Sequence, residues 1–426
     1  MKRWTRVALA ATAAATLGVA ACGTSGGGGN SAEGGTLTVW LMDGSASEEM
    51  ISALNQEFEA AHPGVKVKYE VQAWNGIQDK LTTSLTSDNP PDIIELGNTQ
   101  NPQFSSQDTL TDLTDSAKDF NQDKWIPGLA EAGKWNGKQY GIPFYAANRV
   151  VLYRTDLFQA AGITATPTSN AEWLDAIAKL KAANAADPDF QPLYLPGQYW
   201  YALTSFIWDQ GGDLATGSGG SYTGALDTPQ AQAGVEFYKQ LVEASGTTAP
   251  KDNDEAHPQQ ADVYAAGKVG MWIGMPGELA TAVKTDPSLK EKTSAFPIPS
   301  KDAGKTAPVF LGGSNLAIPA SAAHVDAAKD WLKLLTSDKY QTQLAKGGFV
   351  PGADKDTTAL AGDPVSAAMA KATAGGKATP VTPAWASIEA GQNPLKDMLT
   401  AVLTGAKTVP QATKDANDAL TKALAK

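Results

Sequence analysis

Residues Thr36–Gly97 read TLTVWLMDGSASEEMISALNQEFEAAHPGVKVKYEVQAWNGIQDKLTTSLTSDNPPDIIELG, and their apolar positions follow two alternating periods. Thr36–Met42 is an apolar run rich in strand-forming residues, and residues 65–71 alternate apolar and charged side chains, so both segments are predicted strands. A helical spacing of three or four residues follows each strand. The apolar positions with that spacing are Ile51, Leu54 and Phe58 in the first helix and Ile77, Leu81 and Leu85 in the second.

A third buried strand is predicted at residues 93–97, after Pro90-Pro91 ends the second helix. The order strand, helix, strand, helix, strand requires right-handed crossovers and predicts an α/β fold with a mainly parallel sheet. Ligands of such sheets bind outside the carboxyl ends of the strands. Ser45 and Glu48 fit a capping box at the start of the first helix.

The first 35 residues have the composition of a targeting segment. Basic residues precede an apolar core at 7–21, which is too short to span a bilayer and is typical of a signal peptide. This core ends in Val-Ala-Ala before Cys22, the only cysteine in the chain, and resembles the lipobox of bacterial lipoproteins. We expect a signal peptide at 1–21, lipidation of Cys22 and a flexible Gly/Ser tether at 22–35. Ordinary signal cleavage with an incidental cysteine is the alternative.

This N-terminal pattern predicts a location outside the cytoplasm. The protein would be held at the outer face of the cytoplasmic membrane through the lipid alone, because no later apolar run has membrane-spanning length. The rest of the chain is long enough to exceed one hydrophobic core, so two lobes are expected.

Acidic residues outnumber basic ones, 45 to 34, which gives a formal net charge of −11. A polyanion needs a basic stripe, so nucleic acid is not an expected partner. His62, His257 and His324 are far apart in the sequence, which argues against a histidine metal site. Nothing in the sequence calls for a metal or another cofactor, and we expect a monomer.

Several collinear segments resemble the extracellular solute-binding proteins of the maltose-type, sugar-binding ABC transporter class. The most specific block is GKQYGIPFYAANRVVLYRTDLFQAAGI at 137–163. FEAAHPGVKV and PPDIIELGN precede it, and WDQGGD, AAGKVGMWIG, LGGSNLAIP and GGFVP follow it. The resemblance covers nearly all of the chain after the tether.

The resemblance implies a type II periplasmic-binding-protein-like fold. Each of its two lobes is a mainly parallel sheet flanked by helices, and crossing strands form a hinge between them. By analogy, residues 36–146 with 312–337 form the first lobe, and 147–311 with 338–426 form the second. The resemblance also implies a carbohydrate ligand in the cleft between the lobes and delivery of that ligand to the membrane subunits of an ABC permease, with hinge closure reporting occupancy.

A sugar offers hydroxyl groups around an apolar ring face, so its site needs flat aromatic side chains together with amides or carboxylates. Loop positions and strand ends in this sequence carry such residues. The candidates are Asp43, Trp74, Asn75, Asn98, Thr99, Gln100, Tyr145, Asn148, Trp200, Trp208, Trp272, Glu278, Ser314, Asn315, Phe349 and Trp385.

Each candidate also has a structural interpretation. Asp43 and Asn98 fit turns, Trp74-Asn75 fits a helix entry, and the later aromatic residues fit core packing. The chain also departs from its relatives. They often carry an acidic residue where this chain has Ala146-Ala147, and a tryptophan where it has Ser314.

Two other classes of function compete with sugar capture. The first is a binding protein of the same fold with a non-sugar cargo, such as a polyamine, which the acidic balance would favour. The second is a secreted glycosidase, which would need a pair of carboxylates. The sequence singles out no such pair and contains no nucleophile elbow, zinc-protease motif or phosphate loop, so we expect a binding protein and not an enzyme.

Overall fold

The computed structural model describes residues 35–218, 220–354 and 356–425. The expected signal peptide, Cys22 and nearly all of the expected tether lie outside the described residues. The strands are β1 Thr36–Met42, β2 Lys66–Gln72, β3 Ile93–Gly97, β4 Lys134–Trp135, β5 Lys138–Gln139, β6 Ile142–Ala147, β7 Val150–Arg154, β8 Gln191–Tyr194, β9 Ala215–Ser218, β10 Ser221–Gly224, β11 Val269–Gly274, β12 Thr293–Phe296, β13 Gly312–Ala317 and β14 Val350–Pro351.

Helices cover both sheets, and three short 3-10 turns lie at Thr114–Phe120, Gln122–Lys124 and Thr358–Leu360. The α-helices are α1 Glu48–Ala61, α2 Ile77–Leu85, α3 Asn101–Ser106, α4 Pro127–Ala132, α5 Thr155–Ala160, α6 Asn170–Ala183, α7 Trp200–Asp209, α8 Pro229–Ser245, α9 Gln260–Ala265, α10 Pro276–Thr285, α11 Leu289–Lys292, α12 Val325–Leu335, α13 Asp338–Lys346, α14 Pro364–Thr373, α15 Pro383–Ala390, α16 Pro394–Leu403 and α17 Val409–Leu424.

The first sheet has six strands in the order β14-β6-β13-β3-β1-β2. The strands β1, β2 and β3 that the sequence predicts pair in parallel, as expected. The strands β13, β6 and β14 pair antiparallel, so the sheet is mixed. The parallel arrangement therefore holds only for the segment whose strand and helix periods alternate.

The second sheet has four strands in the order β12-β7-β11-β8 and is also mixed. Only β11 and β8 run parallel, whereas β7 pairs antiparallel with β11 and with β12. The α/β class and the sheets flanked by helices are confirmed, but the expectation of mainly parallel sheets is wrong for both sheets. Strands that return from the other sheet enter against the direction of their neighbours.

The first sheet is a layer between helices. Leu37, Val39 and Leu41 of β1 pack with apolar residues of α1, α12 and α13 on one face. Ile94 and Leu96 of β3 pack with α2 on the other face. The first sheet thus has an apolar core on each face, and α1 packs against only one of them.

Residues after Ser337 belong to the first sheet and not to the second. Tyr340 and Leu344 of α13 are buried with β1 and α1, and β14 pairs with β6. Ala345 and Val350 already contact the other hydrophobic core, and from Leu360 onward the buried apolar residues belong to that core alone. The first core therefore buries Tyr340 and Leu344 of α13, and the lobe boundary after residue 337 stays a prediction.

The first helix begins two residues later than its sequence signal suggests. Ser47, and not Ser45, is the N-cap, and its hydroxyl accepts from the Met50 backbone N–H. Ser45 instead donates its hydroxyl to Glu95, which lies on β3. In the part of the chain that the structure describes, no helix is both long and apolar enough to cross a membrane.

Candidate functional site

A cavity of about 280 Å³ lies between the two sheets, where β3 and β6 end and β13 begins. It is called the cleft cavity below. One wall comes from the first sheet and the opposite wall from α7, α15 and the segment after β11. Its lining residues are Trp74, Gln78, Gly97, Asn98, Thr99, Gln100, Tyr145, Ala147, Arg149, Tyr201, Met275, Phe310, Gly312, Gly313, Ser314, Ala386, Glu389 and Ala390.

The first wall begins at the carboxyl end of β3. Asn98 is buried; its backbone N–H donates to Gly313 O (3.1 Å) and its side-chain amide to Leu311 O (2.6 Å). Gln100 folds back so that its Oε1 accepts from the Gly97 N–H (3.1 Å). Beside Gly97 stands Trp74, which is 43% exposed and is therefore free to contact a ligand.

The floor contains Tyr145, a residue of β6. Its ring packs edge-on against Phe349, with 5.4 Å between the ring centroids, and its hydroxyl donates to Glu95 Oε1 (3.2 Å). Glu95 is fully buried and also accepts from the Ser45 hydroxyl and the Met42 N–H, both at 2.7 Å. Burial raises the pKa of Glu95, and these donors oppose the rise. The network fixes the orientation of the Tyr145 ring.

The opposite wall holds a positive and a negative side chain. Arg149 donates its Nε–H to the Tyr199 hydroxyl (2.9 Å), and its guanidinium carbon lies 3.9 Å from the centre of the Tyr201 ring. The Tyr201 hydroxyl donates to Glu389 on α15. Burial raises the pKa of Glu389, while the hydroxyls of Tyr201 and Thr99 lower it.

Two further carboxylates lie behind Arg149. Glu255 Oε1 is 3.6 Å from its Nη2, and burial raises the pKa of Glu255 to about 7 despite the nearby guanidinium. Glu278 accepts from Gln260 and from the Met275 N–H, both at 2.8 Å, so it caps α10. Burial raises the pKa of Glu278 too. These groups hold Arg149 from the side away from the cavity.

The structure brings six of the sequence candidates together at the cleft cavity. They are Trp74, Asn98, Thr99, Gln100, Tyr145 and Ser314. Phe349 does not line the cavity but supports the Tyr145 ring. Asp43 and Asn75 are exposed and are not part of the lining.

The other candidates are buried away from the cavity. Trp200, Trp272 and Trp385 are fully buried in the second core, and Trp208 packs there with its indole N–H on Asp213 (3.0 Å). These tryptophans are core residues, because glycine or proline in the sequence nearby does not decide which way a side chain points. Asn148 donates to Thr373, Asn315 donates to Leu129 O, and Glu278 caps α10.

Sequence reasoning missed four residues that supply charged and aromatic side chains to the second wall. They are Arg149, Tyr201, Phe310 and Glu389. Arg149 directly follows the candidate Asn148 in the sequence, which was an available signal. Tyr201 follows Trp200 directly, but one residue turns a helix by about 100° and so reverses which ring faces the cavity. Glu389 has no local signal, because α15 meets α3 only in the folded chain.

A larger depression of about 1,230 Å³ lies on the far side of α15, lined mostly by α15, α16, α17 and the β9–β10 hairpin. None of the candidates lines it. Within the described residues, no group of three His, Cys, Asp or Glu side chains is placed to hold a metal ion. The cleft cavity is therefore the site at which the strand ends, the aromatic rings and the polar side chains converge.

Two sheet-based lobes with a cavity between them are typical of a solute-binding protein. A family model for the bacterial extracellular solute-binding protein matches residues 38–342, and the chain belongs to that family. The resemblance noted in the sequence is confirmed. The chain is 41% identical to the diacetylchitobiose binding protein DasA of Streptomyces coelicolor, over 92% of this chain and 90% of that protein.

Solved structures show the same fold. The sugar-binding protein MalE of Xanthomonas citri superposes with a TM-score of 0.78 at 23% identity, covering 92% of this chain and 98% of that one. A solute-binding protein of Thermotoga lettingae, bound with α-D-tagatose, superposes with a TM-score of 0.77 at 24% identity, covering 91% and 99%. At these identities the likeness concerns the fold.

Proposed function

We propose that this protein captures a short saccharide in the cleft cavity and delivers it to the membrane subunits of an ABC importer. The observation that supports this most directly is the composition of the cavity. An exposed indole and two tyrosine rings are set among amide, hydroxyl and carboxylate groups. Such a set matches a ring with an apolar face and a rim of hydroxyl groups.

The relative DasA suggests which saccharide to test first. Because it binds diacetylchitobiose and its sequence aligns over nine-tenths of both chains, this disaccharide is the first candidate ligand. The cavity volume of about 280 Å³ is close to the lower end of the range for ligand sites, roughly 300–1,000 Å³. A ligand of one or two sugar rings is therefore favoured over a long oligosaccharide.

Binding without hydrolysis fits the distribution of carboxylates. Glu389 is the only carboxylate among the described residues that line the cavity. A glycosidase uses two carboxyl groups, one on each side of the scissile bond. Glu95 is buried beneath Tyr145 and is occupied by three donors, so it does not supply the second group.

A polyamine is the competing cargo. The net charge of −11 favours a cation over the whole protein, but the cavity itself contains the Arg149 guanidinium, which would repel one. Thermal unfolding with diacetylchitobiose, cellobiose, maltose and spermidine, each in excess, tests both ideas, since a ligand that binds only the folded state raises the midpoint. A rise with spermidine alone would replace the saccharide proposal.

We also propose that the mature protein is a monomer attached to the outer face of the cytoplasmic membrane by lipid on Cys22. The lipobox-like end of the apolar core and the absence of any other cysteine support the lipid attachment. The test is detergent-phase partitioning of the protein expressed in a bacterium that processes lipoproteins. The wild type should enter the detergent phase and Cys22→Ser should stay in the aqueous phase. Equal partitioning would exclude lipidation.

A further inference from the structure

Among the described residues that line the cleft cavity, only Arg149 and Glu389 have formally charged side chains, and their charges are opposite. No ion pair joins them: Arg149 pairs instead with Glu255, behind the wall. Both are largely desolvated, which makes an unpaired charge costly. The cavity thus contains a separated donor and acceptor, and a polar ligand group can lie between them.

Tyr201 sets the separation. Its ring face supports the guanidinium of Arg149 at 3.9 Å, and its hydroxyl, at the far end of the same ring, donates to Glu389. The rigid ring therefore acts as a spacer that keeps the two charges near each other and out of contact. Phe310, with its ring centroid 5.1 Å from that of Tyr201, adds an apolar surface beside the pair.

Each charged group has hydrogen-bonding capacity left. Arg149 uses Nε on Tyr199, and its Nη2 is 3.6 Å from Glu255, beyond hydrogen-bond distance. Glu389 uses Oε1 on Tyr201. Its Oε2 is buried without a hydrogen-bond partner of normal geometry among the described residues, although the Thr99 hydroxyl is near enough to lower its pKa. A buried acceptor in this state has capacity for a further donor.

Arg149 and Glu389 together favour a neutral ligand group that accepts a hydrogen bond at one atom and donates one from another. An anion would face Glu389 and a cation would face Arg149, so each net charge is disfavoured. A hydroxyl must serve both neighbours through a single oxygen. An acetamido group offers its C=O to a guanidinium and its N–H to a carboxylate on separate atoms, and its methyl group can rest on an aromatic ring.

We propose that Arg149 and Glu389 together recognise an acetamido substituent of the bound sugar, with Arg149 donating to its carbonyl oxygen and Glu389 accepting from its N–H. This rests on the proposed capture of a saccharide and names the sugar class that the site prefers. Neither residue is a candidate on sequence grounds. In a sugar with a plain hydroxyl at that carbon, one oxygen would have to accept from Arg149 and donate to Glu389, so the two hydrogen bonds could not both have the geometry that the separate atoms of an acetamido group allow, and this difference is the source of discrimination.

The test compares two disaccharides of the same linkage by titration calorimetry. Diacetylchitobiose carries acetamido groups where cellobiose carries hydroxyls. The wild type should bind diacetylchitobiose at least about tenfold more tightly, the effect of one hydrogen bond to a charged partner. This comparison needs no variant, so it stands even if a substitution prevents folding.

Variants then assign the preference to the two residues. Glu389→Leu and Arg149→Lys should each weaken diacetylchitobiose binding about 10- to 100-fold and change cellobiose binding less than threefold. Glu389→Gln, which retains an acceptor, should fall between Glu389→Leu and the wild type. Glu243→Leu, on the exposed face of α8, is the matched control and should leave both affinities unchanged.

The outcomes separate the two proposals. If the wild type binds neither disaccharide nor any other sugar, the proposed saccharide function fails and this inference fails with it. If the wild type binds both disaccharides equally, or if the variants weaken both to the same extent, saccharide capture stands and the acetamido role of Arg149 and Glu389 is wrong.

Discussion

The guanidinium of Arg149 lies over the ring of Tyr201, with its central carbon 3.9 Å from the ring centre, and the hydroxyl of the same ring donates to Glu389. A single aromatic side chain thus positions both charged residues of the cleft cavity. Tyr201 is itself partly buried between them. Its two parts, the ring face and the hydroxyl, can be removed separately.

Replacing Tyr201 should lower saccharide affinity in two steps. Tyr201→Phe keeps the ring beneath Arg149 and removes the donor to Glu389, so we expect a loss of about 1–2 kcal/mol in binding free energy. Tyr201→Leu removes the cation–π support as well, worth roughly a further 0.5–2 kcal/mol. Titration calorimetry measures both. Tyr222→Leu, in the separate depression, is the control that should bind normally. Equal affinities for wild type and Tyr201→Leu would exclude this role.

Two tryptophans that look alike in sequence should respond differently to alanine. Trp74 is 43% exposed at the cavity, so Trp74→Ala should weaken ligand binding about tenfold and change the free energy of unfolding by less than about 1 kcal/mol. Trp272 is fully buried, so Trp272→Ala should lower the free energy of unfolding by about 3–5 kcal/mol. Urea unfolding and calorimetry on both variants check this. A large stability loss for Trp74→Ala would place its ring in the core.

Glu255 should make stability depend on pH. Its pKa is raised from 4.5 to about 7 by burial, so between these values the folded protein holds a proton that the unfolded chain has released. The free energy of unfolding should therefore fall as pH rises from about 4.5 to 7, by roughly 3 kcal/mol for this group. Below pH 4.5 the contribution is fully present, and above pH 7 it is lost.

The measurement compares urea unfolding of the wild type and Glu255→Gln at several pH values across that window. Glu255→Gln should show a shallower decline, because glutamine does not titrate. Glu243→Gln, on the exposed face of α8, should follow the wild type. Parallel pH profiles for wild type and Glu255→Gln would mean that Glu255 is ionised in the folded protein throughout the window.

Alanine substitutions at two glycines with positive φ distinguish the cost of backbone strain from the cost of a steric clash. Gly304 (φ +76°) has no atom within 4 Å of an added Cβ, so Gly304→Ala should lower the free energy of unfolding by about 1–2 kcal/mol. Gly313 (φ +131°) lies on β13, where an added Cβ would meet Tyr145 O at 2.1 Å. Gly313→Ala should therefore destabilise by roughly 3 kcal/mol or more. Similar urea midpoints for the two variants would show that β6 and β13 can move apart at little cost in free energy.

The sequence predicts the parallel part of the first sheet well, because β1, α1, β2, α2 and β3 form from local periodicity. It predicts the polar residues after β3 for the same reason, since strand ends are visible in the pattern and ligands gather there. Local periodicity does not predict which distant segments of the chain contact each other. Ser45 has the sequence of a helix cap, yet its hydroxyl bonds to Glu95, fifty residues away.

The residues of the second wall of the cavity could not be predicted for the same reason, because long-range packing places them there. Trp200 and Tyr201 are neighbours in sequence, and only the packing of α7 decides that the tyrosine faces the cavity and the tryptophan the core. Glu389 approaches Thr99 through the contact between α15 and α3. Such pairs are set by tertiary packing, which composition and spacing do not encode.

Only Asn148 and Arg149 separate the last residue of β6 in one sheet from the first residue of β7 in the other. Any change in the angle between the sheets must be absorbed in part by the backbone torsions of this dipeptide. Arg149, whose side chain lines the cavity, is therefore one of the two residues that connect the sheets. A ligand group that fixes the Arg149 guanidinium would therefore also favour one angle between the two sheets.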